Sequence, residues 1–254
     1  MIDLHCHLLP GVDDGARTLD QAVETLRRMA AQGIREVALT PHLEASRIGE
    51  GPPPAHDEAF AALAHRAPAE VRLHRGAEVM LDRSLTPRAV ATRRITLGGS
   101  RYILCEFTRM VAGPAATVAL GQVVSAGLIP VLAHPERYQA CSVGLVAKWR
   151  GIGAVMQVDA NTLFHPTGRG QRARELVGAG FADILAADNH GDIRSLADPF
   201  QRLVAAGGEA AATLLMVTNP AAILADGELT PVEPFELKLP LLSRLKGWLG
   251  DLGA

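Results

Sequence analysis

The chain has 254 residues, of which 48% are hydrophobic and 20% charged, enough for a sizeable core in a single α/β domain. A net charge of −2 argues against a surface built to hold a polyanion, so nucleic acid is not an expected partner, a local basic patch aside. Cys6, Cys105 and Cys141 form no C-x-x-C pair, which excludes a disulfide framework and fits a reducing compartment. The opening MIDLHCHLLPGVDDG has no basic n-region, and no 18-residue uncharged apolar run occurs anywhere. Neither a signal peptide nor an integral membrane span is expected, and the protein is read as cytoplasmic.

In chain order, an apolar run at 1–4 is followed by a helical pattern over 19–32. Ala22, Val23, Leu26, Met29 and Ala30 share one face of that helix, with Thr18 as N-cap and Gly33 as the residue that ends it. Runs at 36–40 and 71–73, the latter continuing to 79, flank a helix over 56–65. The runs at 102–107, 130–133, 154–158 and 183–187 alternate with helices over 114–126, 142–150, 169–179 and 207–217. Most runs are apolar throughout rather than alternating, as parallel strands covered on both faces are. Seven β-α units imply a parallel sheet, either open or closed into a barrel. Residues 1–232 are read as one unit and 233–254 as a tail. In the tail Leu241, Leu242, Leu245, Trp248, Leu249 and Leu252 recur at helical spacing, as in a helix docked on the body or one that contacts a membrane surface or partner.

Ionisable groups gather where the runs end. The first ends in His5-Cys6-His7, whose two imidazoles point to one face of an extended segment. Asp13 and Asp14 follow closely. Later ends carry His42, Glu78, Glu106, His134 and the pair Asp188 and His190. Catalytic groups of parallel α/β folds collect at the carboxyl ends of strands. A single such histidine is ordinarily structural, but this many imidazoles and carboxylates after apolar runs call for cations, because unpaired buried charge is costly. Mixed nitrogen and oxygen ligation suits Zn, Mn or Fe, and a shared carboxylate suits a multinuclear site.

This pattern, His5-x-His7 with an acidic loop and then His42, Glu78, Glu106, His134 and Asp188-x-His190, resembles the polymerase-and-histidinol-phosphatase (PHP) superfamily. The opening MIDLHCHLLPGVDDGARTLDQAVETLRRMAAQGI, the segment AHPERY and the segment ADNHGDIR are most similar to one branch, the bacterial manganese-dependent tyrosine phosphatases of the CpsB/YwqE type. The resemblance spans roughly residues 1–225 and implies a distorted seven-stranded, TIM-like α/β barrel with three metals. It implies that His5, His7, Glu78 and Asp188 hold the first, that Glu78 bridges to a second held with Glu106 and His134, and that Asp14, His42 and His190 hold the third. Asp13 competes with Asp14 for that last place. Arg137 and Arg194 match the family's phosphate-binding arginines, although the stretch from His190 to Arg194 is one residue shorter than usual. The implied metal is Mn2+, with Fe or Zn as alternatives. The implied substrate is a phosphotyrosine protein, a membrane-associated tyrosine kinase controlling polysaccharide export, for which the tail is a candidate contact.

The cysteine-dependent phosphatases need an Arg six positions after the Cys. Here Val12, Val111 and Ala147 stand there, so that chemistry is not expected. Cys6 and Cys105 are read as packing residues, Cys105 facing away from the ligands. His56 and His65 are read as solvated helix residues, and the segment Asp159-Ala160-Asn161-Thr162 as lining the pocket edge, with Asn161 or His165 as candidates to touch substrate. Two rivals remain: a PHP phosphatase or phosphodiesterase of a small molecule such as histidinol phosphate, distinguished by the rims at 44–54 and 110–115, and a non-catalytic binding protein on the same fold. No residue pattern fixes an oligomeric state.

Overall fold

The computed structural model describes residues 1–237 apart from Glu50; the tail helix expected over 241–252 lies outside the described residues. The elements follow the order β1 (Ile2–Cys6), α1 (Leu19–Ala31), β2 (Glu36–Leu39), β3 (His42–Glu44), α2 (Pro54–Arg66), β4 (Arg72–Arg75), β5 (Glu78–Met80), α3 (Pro87–Thr92), β6 (Tyr102–Glu106) and α4 (Gly113–Ser125). They continue with β7 (Ile129–Ala133), α5 (Val143–Gly151), β8 (Val155–Asp159), α6 (Gly168–Gly178), β9 (Ile184–Ala186), α7 (Ala197–Ala205), α8 (Glu209–Thr213) and α9 (Asn219–Leu224). The cap of α1 forms as its sequence requires: the Gln21 amide donates to Thr18 Oγ1 at 3.2 Å, and Gly33 follows at φ 86°. Its buried face is Ala22, Val23, Thr25, Leu26 and Met29, with Ala30 at the margin.

All strand pairs are parallel, but they form two sheets rather than one closed barrel: β1-β2-β4, and β3-β5-β6-β7-β8-β9. The second expected strand is followed at once by a further short strand, and the third is broken in the middle. Pro41 has no N–H for the ladder, and the chain changes sheets between Leu39 and His42. The neighbouring strand changes sheets at Gly76-Ala77, where the Glu78 amide donates to Pro41 O at 3.1 Å. On the other side the sheets meet through a parallel bridge between Cys6 and Asn189, with the His7 amide donating to Asn189 O at 2.7 Å.

The apolar residues divide accordingly. One group, including Leu26, Met29, Cys105, Leu132, Val158 and Trp149, fills the layer between strands and helices. A smaller one, including Leu4, Leu104, Val131, Ala133, Val155 and Ile184, packs on the other face. Cys105 thus lies on the face opposite its neighbours Leu104 and Glu106, as strand alternation demands. Val232 and Leu237 are also buried, and Phe235 packs against Gly208, so the first residues of the expected tail belong to the body. Among the described residues, no helix is long and apolar enough to cross a membrane.

Candidate metal centre

The register of the ladders places the candidate ligands. His42 and Glu78 are partners across β3 and β5, and Met80 and Glu106 across β5 and β6. An irregularity in β1 between Asp3 and Cys6 re-aims the strand end, so that both His5 and His7 turn inward. Two further ligand positions bend the backbone sharply: His134 has φ 36° and Asp188 φ 50°, left-handed conformations that cost about 1–3 kcal/mol each for residues other than glycine. Tyr138 braces the first of these turns, its hydroxyl donating to Ala133 O at 2.9 Å and accepting from the Phe107 amide at 3.2 Å.

His5 Nε2 and His7 Nε2 stand 3.1 Å apart. Glu78 Oε2 lies 3.2 and 3.3 Å from them, and Asp188 Oδ1 3.3 and 3.4 Å. Glu78 also reaches His134 Nε2 through Oε1 at 2.9 Å and His42 Nδ1 through Oε2 at 3.0 Å, and Glu106 Oε1 is 3.1 Å from the same His42 nitrogen. Asp14 Oδ1 lies 3.4 Å from both His42 Nε2 and His190 Nε2. Within 4.8 Å limits these atoms fall into four groups: His5, His7 and Asp188; His5, Glu78 and His134; His42, Glu78 and Glu106; and His7, Asp14, His42 and His190. Every residue expected as a ligand is present. The expected partition is blurred at His5, His7 and His42, each of which faces two groups.

The two aspartates face different groups. Asp13 Oδ2 accepts from His7 Nδ1 at 2.8 Å and from the His42 amide at 3.1 Å, which leaves it behind the imidazole rather than in front of it. It fixes the ring so that Nε2 faces inward. Gly15 makes this possible: a Cβ there would lie 1.9 Å from His7 O, so only glycine lets the acidic loop fold back onto the strand end. Gln157 plays the same part for His5, its Oε1 lying 2.9 Å from His5 Nδ1.

The donor set fits cations. Glu78 Oε2 is buried and close to three imidazole nitrogens, yet no hydrogen bond to it is aligned. Without a metal, protons must fill the deficit. Burial opposes charge on His5, His7 and His42, but the surrounding carboxylates outweigh it, and all three are raised, His42 to about 10. Glu78 and Asp188 resist burial and are held below the usual carboxylate range, chiefly by His5.

Arg137 Nη2 donates to Asp159 Oδ2 at 2.9 Å and also to Asp188 Oδ2. Arg194 Nη1 lies 3.5 Å from the same Asp188 oxygen, while its Nε and Nη2 bind Asp192. The shorter approach therefore still brings Arg194 to the cluster. Gln157 was not singled out by the sequence, and Asp159 was read only as part of the pocket edge. Their signal was available: polar residues at alternate positions of an otherwise apolar strand, leading to a strand end like the others. His56 departs from the expected solvated position. It is half-buried and shares a groove of about 420 Å³ with His42, Leu43, Glu44, Arg47, Pro53, Met80 and Glu106. Asn161 braces the backbone instead of facing the site, donating to Ala187 O at 3.1 Å. His165 is exposed at a separate pocket.

Imidazoles and carboxylates converging at the ends of parallel strands around an acceptor-rich centre define an α/β protein with a site suited to several metal ions. The chain belongs to the CpsB/CapC family of capsular polysaccharide synthesis, whose profile matches residues 1–225. It is 31% identical to the tyrosine-protein phosphatase YwqE of Bacillus subtilis over 197 residues, 75% of this chain and 77% of that one. It is 26% identical to the tyrosine-protein phosphatase CpsB of Streptococcus agalactiae, covering 88% and 98%. A solved structure from work on YwqE of Bacillus subtilis and CpsB of Streptococcus pneumoniae, described as metal-dependent tyrosine phosphatases, superposes with a TM-score of 0.77 at 24% identity, covering 94% of this chain and all of that one, and shares the fold.

Proposed function

We propose that the chain is a metal-dependent protein-tyrosine phosphatase of the PHP type. Its catalytic unit is residues 1–232, a barrel-like α/β arrangement left open between its two parallel sheets, and it acts in the cytoplasm on the phosphotyrosines of a capsule or exopolysaccharide tyrosine kinase. The observation that carries this is Glu78, buried and in contact with His5, His7, His42 and His134. A carboxylate so placed suits a bridge between cations, with His5, His7 and Asp188 on one side, Glu106 and His134 on the second, and Asp14, His42 and His190 holding a third. Manganese is the expected metal, with iron or zinc as alternatives. When bound, the ions supply Lewis acidity for a phosphoryl oxygen and for the attacking water.

The side chains do the rest. Arg137 and Arg194 exchange part of their hold on Asp188 for the equatorial phosphoryl oxygens, which guanidinium matches in a bidentate way. Asp159 keeps Arg137 in place during that exchange. A tyrosine phenolate, with a pKa of about 10, leaves with little protonic help. Leu43, Pro53 and Met80 offer an apolar wall for its ring beside His42 and Glu106. Histidinol phosphate would bring an ammonium to the same groove, whose wall of Leu43, Pro53 and Met80 suits a phenyl ring better, so the phosphotyrosine reading is favoured. A cysteine nucleophile is disfavoured by burial, which raises the thiols of Cys6 and Cys105 and pushes Cys141 up to about 12.

The test is hydrolysis of a phosphotyrosyl peptide and of histidinol phosphate by purified protein in manganese, beside His42→Ala and Arg137→Ala. The peptide is expected to be the better substrate and both variants to lose turnover with the fold kept. Full activity in His42→Ala would remove the three-metal reading.

A further inference from the structure

Beyond Arg137, away from the groove at Met80, lies a pocket of about 420 Å³ lined by Thr162, His165, Thr167, Arg169 and Arg172. It is coupled to the centre by a short relay: Thr162 Oγ1 donates to Asp159 Oδ2 at 2.8 Å, and the same oxygen accepts from Arg137. The pocket exists because α6 packs tightly onto the turn after β8. A Cβ on Gly170 would lie 2.0 Å from His165 O, and glycine alone allows that approach, which sets Arg169 and Arg172 over the cavity.

The charges there are unmatched. Arg172 Nε donates to Glu136 O at 2.9 Å, and its terminal nitrogens have no partner among the described residues. Arg169 is half-buried and has no hydrogen bond or ion pair among the described residues. Burial and then the positive charges of Arg109 and Arg137 hold its pKa below the usual arginine value, with Arg172 adding to them and Glu136 alone opposing. That carboxylate is fully buried, and its Oε1 is already used by the Asp159 amide at 3.1 Å. Arg169 and Arg172 thus bring unpaired guanidinium ends to the flank beside Arg137, which Asp159 and Asp188 already match, on a chain whose net charge is −2. Gathering like charges around a cavity is unfavourable unless an anion enters it.

The geometry points to a second anion subsite, at which Arg169 and Arg172 receive a carboxylate or second phosphoryl group carried by the substrate polypeptide beside the phosphotyrosine. This deepens the phosphatase reading and rests on it for the identity of the polypeptide. A single-phosphate small molecule has nothing to place there.

Two measurements test it on the full chain. In the first, a labelled glutamate-rich peptide without phosphotyrosine is titrated by fluorescence anisotropy. Arg169→Ala is expected to weaken binding about tenfold, the scale of one hydrogen-bonded charge contact. In the second, phosphotyrosyl peptides flanked by glutamate, by glutamine or by another phosphotyrosine are compared with p-nitrophenyl phosphate. The wild type is expected to prefer the charged peptides through KM, and Arg169→Ala to lose that preference while p-nitrophenyl phosphate turnover is unchanged. A greater gain from the second phosphotyrosine identifies phosphoryl as the source, and an equal gain identifies simple negative charge. Equal peptide binding by wild type and Arg169→Ala overturns the subsite even if hydrolysis is normal. A wild type inert toward every phosphomonoester, yet binding peptide through Arg169, would instead remove the phosphatase reading and keep the subsite.

Discussion

The two ends of the parallel strands use similar residues to opposite effect. At the amino-terminal end polar groups are held in closed local contacts, several of them between opposite charges. Arg150 pairs with Asp183, Arg101 Nε lies 3.1 Å from Asp226, and the Tyr102 hydroxyl donates to Gly227 O at 2.6 Å. At the carboxyl end, imidazole nitrogens and carboxylate oxygens face a shared centre, and Glu78 Oε2 is left without an aligned donor. A polar cluster that is complete in itself holds a fold together; one that is incomplete holds something else.

Breaking the incomplete end should cost activity most. Glu78→Ala removes the carboxylate common to most of the cluster, and a loss of about 4 kcal/mol of transition-state stabilisation corresponds to roughly a thousandfold in kcat/KM. Elemental analysis should show fewer metals per chain. Near-normal metal content would mean that Glu78 is not a bridge. Asp13→Asn acts one step further out, through the orientation of His7, and about a 10–100-fold weaker metal affinity is expected with the ligands themselves intact. Chelating the metals should lower thermal stability. At a thousand times the dissociation constant the bound state is favoured by about 4 kcal/mol, roughly 8–16 °C for a chain of this size. An unchanged melting temperature after verified metal removal would show that the folded and unfolded chains bind metal alike. At the complete end, Arg150→Ala strands a largely buried Asp183. It should cost about 1–3 kcal/mol in denaturant titration, discounted because the arginine is partly exposed, while metal content and turnover stay at wild-type values.

Much of the incomplete end was legible in the sequence because its signal is local. His5-x-His7 and Asp188-x-His190 combine strand alternation with a position just past an apolar run, and His42, Glu78, Glu106 and His134 repeat that placement. What the sequence did not reveal depends on direction or on register between distant segments. Asp13 and Asp14 are neighbours in one loop, and only the fold of that loop over Gly15 sends one behind His7 and the other toward His42 and His190. Gln157 stayed unmarked, and Asp159 was placed only at the pocket edge, because a polar residue in a strand states its face but not what waits there. His56 looks solvated in its helix until the fold sets it, half-buried, in one groove with Pro53 and Met80. The breaks at Pro41 and Gly76, which turn an expected barrel into two sheets, were hidden because apolar runs continue on either side of them.

Those breaks give the cluster a mechanical meaning. His5 and His7 belong to the end of the three-stranded sheet, and His42, Glu78, Glu106 and His134 to the six-stranded one. An ion shared by the two sets would rivet one sheet to the other across a seam that backbone ladders leave nearly unbound, much as a crosslink closes a loop. Amide exchange at His7, whose proton reaches Asn189 O across the seam, would then report the rivet directly, slow with metal and fast without it.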